Sequence, residues 1–549
     1  MKRTIPPVLT LSLILSALEI AAYPYPGLLS WLASRCWLAH GAFYFFSSIA
    51  LIYKTLRQDV REKNFRGLVI FFLFGWMILN IAGSRGVLIN HESTQQVAQG
   101  CAFFKLPDFN YTQTGFFGYP ARQYLIVALP SLFLGRSPLA LRLGYSGAFL
   151  LGIMVFYCGL NRYFSESKTG RTLIAPLVTL ALLGFPVVVN IMVASEQTVL
   201  PISFTLQAAG WFLLCLKAAM PGRVISLAYV GGILATSYTP GLAPWLLLIV
   251  LMGLRVKQDL QLKQFERMAL WLGGAVFVAA IGGASFFTRI DMLARQSGVW
   301  VPASVRWSYL VAALREILIP LFYAFLPLPV VIYVLLSLLK MFRPRDFWIS
   351  LWAVVTIFLA TQLGGLASPA PPYSLHRALV IIPPLLISLA LTLEPWLARR
   401  GKISPRILVL VLVFGILIPA KNLREGLNLC KSGIRDKVVY DTLDVVHTYG
   451  IDPNGPLRFI IVPENVEYSG LHDCFRYFYP QVEFLWREDL VLTMGIADVP
   501  TLVYLDAERP ILSVMEMLWK QRADLAVVQF SFLEQKARFL RGVYIPAKK

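Results

Sequence analysis

A chain of 549 residues that is 57% hydrophobic, with a mean hydropathy of +0.64, excludes a single soluble domain, because apolar runs of membrane-spanning length recur along it. The net charge of +20 is unevenly divided. Residues 421–549 hold 16 Lys/Arg against 17 Asp/Glu, leaving 34 basic and 13 acidic residues in 1–420, so the excess reads as membrane topology and anionic lipid contact rather than nucleic-acid binding.

From the N-terminus, Met1-Lys2-Arg3 followed by Leu9 to Ala22 has the outline of a signal peptide. It reads as a retained span, because no small-x-small site precedes Tyr23 and a second apolar run follows directly. Spans are expected near 6–22, 31–53, 67–89, 138–160, 171–193, 197–217, 224–240, 241–254, 268–288, 319–340, 347–366, 377–397 and 406–420. Basic clusters fall at every second gap: Lys54 to Arg66, Arg162 to Arg171, Lys217 to Arg223, Arg255 to Arg267, Lys340 to Arg345 and Arg399 to Arg406. The positive-inside rule makes that face cytoplasmic and puts the other gaps outside, among them 90–137, 289–318, 367–376 and everything after Ala420. The expected fold class is therefore a polytopic α-helical membrane protein of about 13 transmembrane helices, with a small C-terminal soluble α/β domain on the outer face. Two additional N-terminal helices occupy 1–66, a core 67–420, and the outer domain 421–549.

In the tail, Leu457–Val462, Val482–Trp486, Thr501–Leu505 and Leu525–Phe530 read as strands, and Lys437–Tyr449, Asn465–Phe478 and Phe532–Leu540 as helices. No glycine-rich phosphate loop follows a strand, so nucleotide binding has no support there. None of the six cysteines shows metal-ligand spacing. Cys158 and Cys215 read as small buried thiols, while Cys430 and Cys474 are both in the tail, where they are either paired or separate.

Acids are scarce in the first 420 residues, so their positions are informative. Asp59, Glu62, Glu166, Asp259, Glu266 and Asp346 sit among the cytoplasmic clusters as solvated loop charge. Glu92 and Glu196 map to outer ends of spans, where desolvating a carboxylate is costly and a chemical role competes with that of a plain interfacial charge. Glu92 follows His91 at the start of a polar loop running from Asn90 to Tyr119. His91 without an HExxH pattern or a second ligand at helical spacing is weak evidence for a metal; no metal or other cofactor is obligatory, and a divalent ion is unsupported. Arg85, Arg122, Arg142, Arg289, Arg295, Arg306 and His376-Arg377 place positive charge on the outer face against the topology rule. A phosphate there would explain them, because the planar arginine fork suits phosphate oxygens; pairing with carboxylates, such as Arg85 with Glu92, is the alternative.

This arrangement resembles the GT-C glycosyltransferases, in the lineage of protein O-mannosyltransferases and the lipid A aminoarabinose transferase. The resemblance rests on His91-Glu92-Ser93 to Ala98-Gln99-Gly100, Gly118-Tyr119-Pro120, Leu134-Gly135-Arg136-Ser137-Pro138, Leu141-Arg142-Leu143, Ala194-Ser195-Glu196, and His376-Arg377-Ala378-Leu379 with Pro383-Pro384. The usual Asp-Glu pair is His91-Glu92 here, and the usual Thr-Lys-Gly-Pro is Ser237-Tyr238-Thr239-Pro240, without the lysine.

The resemblance implies transfer of a hexose or pentose from a polyprenyl-phosphate donor to a lipid, glycan or protein acceptor, at the outer face of a bacterial cytoplasmic membrane. It assigns catalysis to Glu92 with His91 and Glu196, and substrate binding to Arg85, Arg122, Tyr373, His376 and Arg377. A flippase or transporter of lipid-linked glycans is the rival class, and a polymerase or ligase of surface polysaccharide the rival within the family. Charges gathered at outer span ends rather than inside spans favour the enzyme.

Overall fold

The computed structural model describes residues 28–83, 91–103, 121–185, 199–237, 241–296, 417–432, 437–452 and 454–462, with shorter pieces at 188–189, 192, 380, 382–384, 386–387, 390–391, 394, 475–485, 499–505, 531–532 and 542–547. The helices are α1 (Leu28–Arg61), α2 (Arg66–Gly83), α3 (His91–Phe103), α4 (Ala121–Leu134), α5 (Pro138–Tyr163), α6 (Ala175–Leu180), α7 (Val199–Lys217), α8 (Pro221–Ser237), α9 (Leu242–Gln261), α10 (Phe265–Gln296), α11 (Ile418–Ser432) and α12 (Lys437–Thr448). Among the described residues, four helices are long and apolar enough to cross a membrane: Arg66–Gly83, Pro138–Tyr163, Val199–Lys217 and the Phe265–Gly283 part of α10. The expected spans 6–22, 319–340 and 347–366 lie outside the described residues, as does most of 406–420.

Two expectations change. The expected outer loop 90–137 contains α3 and the apolar α4, which ends where Gly135, at φ +73°, turns the chain into α5. Ser137 caps α5 by accepting from Ala140 N–H at 3.2 Å, and Pro138 follows at its first position. The span 171–193 is not one helix. A π-turn over Gly170–Ile174 precedes α6, with Ala175 N–H bonded to the Gly170 carbonyl, and a 3-10 turn over Ala181–Gly184 ends it. Pro176 has no N–H for a regular ladder, which accounts for the altered turn before it.

The centre of the bundle is the parallel packing of α5 on α7 through small residues spaced seven apart on each helix. Gly152 lies against Ser203, and Gly159 against Gly210. A Cβ on Gly159 would stand 2.5 Å from the Gly210 carbonyl oxygen, which is backbone and cannot yield. Gly159→Ala is therefore expected to separate the two helices at a cost of about 1–3 kcal/mol. Gly75→Ala, which meets nothing within 4 Å, is neutral or stabilising. Thermal melting of the detergent-solubilised variants checks this, and equal melting temperatures would contradict the packing.

The tail forms a five-stranded sheet in the order β2-β1-β3-β5-β4, from β1 (Leu457–Val462), β2 (Val482–Leu485), β3 (Thr501–Leu505), β4 (Ser531–Phe532) and β5 (Gly542–Ile545). β1 pairs in parallel with β2 and β3, whereas β5 is antiparallel to β3 and β4. Phe459 on β1 stacks on Phe475 at 5.2 Å, and Tyr449 beyond α12 on Tyr544 of β5 at 4.0 Å, so helical segments cover the sheet. β5 was not expected, and Phe532 is in a strand rather than at the start of a helix. The expected strand Leu525–Phe530, the remainder of that helix, most of 465–478, and the side chains of Cys430 and Cys474 lie outside the described residues. α11 runs across the expected boundary at Lys421 and reaches into the bundle, where Asn422 Nδ2 donates to the Leu183 carbonyl at 3.0 Å.

Candidate active site

Three of the basic loops meet at one end of the bundle. Asp59, buried near the end of α1, accepts from Tyr157 Oη at 2.7 Å and from Asn161 Nδ2 at 3.0 Å, both on α5. Arg171 pairs with Glu62 and approaches Asp59 at 4.0 Å, and Lys217 pairs with Glu166 at 2.6 Å. Hydrogen bonding from Gln58 and the Arg171 guanidinium hold the Glu62 carboxyl below its ordinary value. That exposed link persists above the ordinary carboxylate range and is lost as the pH falls through it. Arg267 lies 3.7 Å from Asp259, which is buried just before the turn from α9 into α10.

The opposite end is built around Arg142. From Arg142 to Asn161 along α5 is about 28 Å at 1.5 Å per residue, the thickness of a hydrocarbon core. Arg142 is fully buried, and Nη1 donates to the carbonyls of Ile81 at 3.1 Å and Ala82 at 3.4 Å. These are carbonyls of the last turn of α2, which has no intrahelical donors for them and carries the negative end of the helix dipole, so a guanidinium suits it. Nη2 donates to the Tyr440 hydroxyl on α12, whose ring lies 5.6 Å from the guanidinium carbon.

One turn further along α5, Tyr145 Oη donates to Gln96 Oε1 on α3 at 2.9 Å. The buried stripe of Thr94, Val97 and Cys101 lays α3 against the bundle, and Gln96 follows Glu92 by one turn. His91 and Glu92 thus open a helix at this end of the bundle, where the N-terminal dipole favours negative charge. Arg122 lies in the first turn of α4.

The tail docks here a second time through Tyr477. Arg136 Nη1 donates to its carbonyl at 3.1 Å, and its hydroxyl lies 2.8 Å from Ser131 Oγ and 3.2 Å from the Ser137 carbonyl. Burial pushes the Tyr477 phenol up, so it remains a donor, with Ser137 as its acceptor and Ser131 donating in turn. Below this platform an apolar cavity of about 630 Å³ opens between α1, α4, α5, α7 and α8. It is lined by Phe45, Leu129, Phe133, Leu151 and Phe204, with Gln207 and Tyr44 hydrogen-bonded to each other at its polar edge.

The structure thus places three of the expected site residues by backbone alone: His91, Glu92 and Arg122. Arg85, Glu196, Tyr373, His376 and Arg377 lie outside the described residues. Among the described residues, no group of three His, Cys, Asp or Glu side chains comes together as a metal site. The roles of Tyr440 and Tyr477 were missed, and nothing in their local sequence marks them. Arg142 carried the available signal, as a cation at the expected outer end of a long apolar span.

These features define a helical bundle, four of whose described helices are long and apolar enough to cross a membrane, with a C-terminal sheet docked on one end of it. No family profile matches the chain, nor does any curated protein sequence. The structure of ArnT from Cupriavidus metallidurans bound to undecaprenyl phosphate is similar with a TM-score of 0.53 and 13% identity, over 87% of this chain and 97% of that one. The apo state of the same protein gives 0.51 with the same identity and coverage. At that identity the likeness shows the fold, and the chemistry must be argued from the residues.

Proposed function

We propose that the chain is a membrane glycosyltransferase that moves a hexose or pentose from a polyprenyl-phosphate donor to a lipid, glycan or protein acceptor at the outer face of a bacterial cytoplasmic membrane. The observation that carries this reading is the position of His91 and Glu92 at the start of α3, on the end of the bundle opposite the basic loops. By the positive-inside rule that end is outside, and residues 421–549 with it. The bound undecaprenyl phosphate of the structurally similar ArnT supports a lipid-phosphate donor. The apolar cavity suits the hydrocarbon part of a lipid-linked substrate, being within the roughly 300–1,000 Å³ range of ligand sites.

In this mechanism Glu92 takes the proton of the acceptor hydroxyl while its oxygen attacks the anomeric carbon. The bond from that carbon to the phosphate oxygen breaks, the sugar inverts, and the lipid phosphate leaves with the bonding electrons. Arg377 and Arg85 stabilise the departing phosphate, with Arg122, Tyr373 and His376 completing the donor site and Glu196 supplying a second acid. His91 tunes Glu92. The leaving group is already a phosphate, so the reaction requires no nucleotide or metal.

Mass spectrometry of surface glycans from a deletion strain tests the reading. The expected result is loss of one hexose- or pentose-sized substituent. Unchanged substituents, with whole lipid-linked glycans stranded on the inner leaflet, would favour transport instead.

A further inference from the structure

Arg142 stands between three elements. Its guanidinium holds the end of α2, from which the chain runs on to α3. Its neighbour one turn on, Tyr145, holds α3 through Gln96. Its Nη2 meets Tyr440, from a part of the chain 298 residues away. A fully buried cation is fixed by its acceptors, so the tail hydroxyl helps decide where the guanidinium sits and hence where the last turn of α2 lies relative to α3. Tyr440 is itself 9% exposed and presents both an oxygen and a ring face to the cation.

We propose that Tyr440 is a positioning residue for the transfer step: the C-terminal unit, through the Tyr440–Arg142 contact, sets the placement of the helix that opens with His91 and Glu92. This rests on the assignment of Glu92 as the base. It gives the tail a function in catalysis. The second docking point makes it testable, because Tyr477 holds the tail to Ser131, Arg136 and Ser137 independently of Tyr440. Tyr440→Phe removes the hydroxyl and keeps the ring over the guanidinium, so it loosens the clamp without detaching the tail.

The experiment uses the full chain in membrane vesicles from a deletion strain, with that strain's own polyprenyl-phosphate sugar fraction as donor and its membranes as acceptor. Tyr440→Phe is expected to lower the rate at saturating donor about tenfold while the half-saturating donor concentration stays within about twofold; a misplaced base costs turnover, not donor binding. Tyr440→Ala loses more, and Tyr53→Phe, on the exposed face of α1, matches the parent. Hydrogen exchange of the α3 amides supplies a readout independent of turnover. It is expected to accelerate in Tyr440→Phe while β1 and β3 stay protected.

Unchanged α3 exchange overturns the positioning role whether or not any turnover is seen. Faster exchange with parental turnover overturns its catalytic consequence. A parental rate for Tyr440→Phe when Glu92→Gln is inactive removes Tyr440 and leaves the glycosyltransferase reading standing. Equal activity of both variants and the parent removes the base assignment as well.

Discussion

Replacing Glu92 with glutamine is expected to leave the protein folded and inserted and to lower sugar transfer at least about a hundredfold, because a positioned general base contributes typically about 10²–10⁴ in rate. The substitution is nearly isosteric and retains a hydrogen-bonding head, so what it removes is the ability to accept the acceptor's proton. Its site is the first turn of α3, and the face that packs the helix on the bundle is carried by Thr94, Val97 and Cys101, so folding does not depend on the carboxylate. His91→Asn is expected to keep measurable activity, since Glu92 survives. His91→Asp, which restores the acidic pair of the resembled lineage, is tolerated. Full turnover in Glu92→Gln together with loss in His91→Asn would transfer the base role to the imidazole. The comparison is read from transfer rates in vesicles containing equal amounts of each variant.

Arg377→Ala is expected to produce the second large loss, through the leaving group. A lipid phosphate departing with negative charge gains most from a planar guanidinium that can donate two parallel hydrogen bonds, and removing one such donor costs typically about 10²–10³ in turnover. Arg377→Lys keeps the charge but presents it as a point ammonium, so it rescues only part of the rate. Initial rates against donor concentration separate the possibilities. Equal rates for Arg377→Ala and the parent would rule out a phosphate clamp at this position.

How far the sequence foretold the structure varied with the range of the interactions involved. Helices α2, α5 and α7 were legible because an apolar run of membrane length has few alternatives. The contacts of Asp59, Arg171, Glu62, Lys217 and Glu166 bring together loops that the spacing of basic clusters had put on one face. β1 and β3 matched to the residue, being short β-branched and aromatic runs with clear ends. α4 was hidden because its apolar stretch is shorter than a membrane span. The changes of helix type within Gly170–Gly184 and the turn to extended backbone at Phe185 were hidden because hydropathy does not register backbone geometry.

The candidate site divides in the same way. His91 and Glu92 stood out as polar residues at the outer end of an apolar span, and Arg142 as a cation there. The contacts of Arg142 with Tyr440 and of Ser131 with Tyr477 link residues about 300 apart, and no local pattern encodes such a pairing. Asp59 illustrates the reverse error. It read as solvated loop charge, yet it is fully buried, because Tyr157 and Asn161 on α5 replace its water.

Sugar transfer is read most directly from the donor itself. The purified full chain in lipid vesicles is given a panel of synthetic polyprenyl-phosphate hexoses and pentoses together with membrane extract from the deletion strain, and released polyprenyl phosphate is quantified by mass spectrometry. At least one donor is expected to be cleaved, with its sugar found on an acceptor, and Glu92→Gln is expected to abolish the release. Donors left intact by the parent, or released equally by the parent and Glu92→Gln, would contradict it.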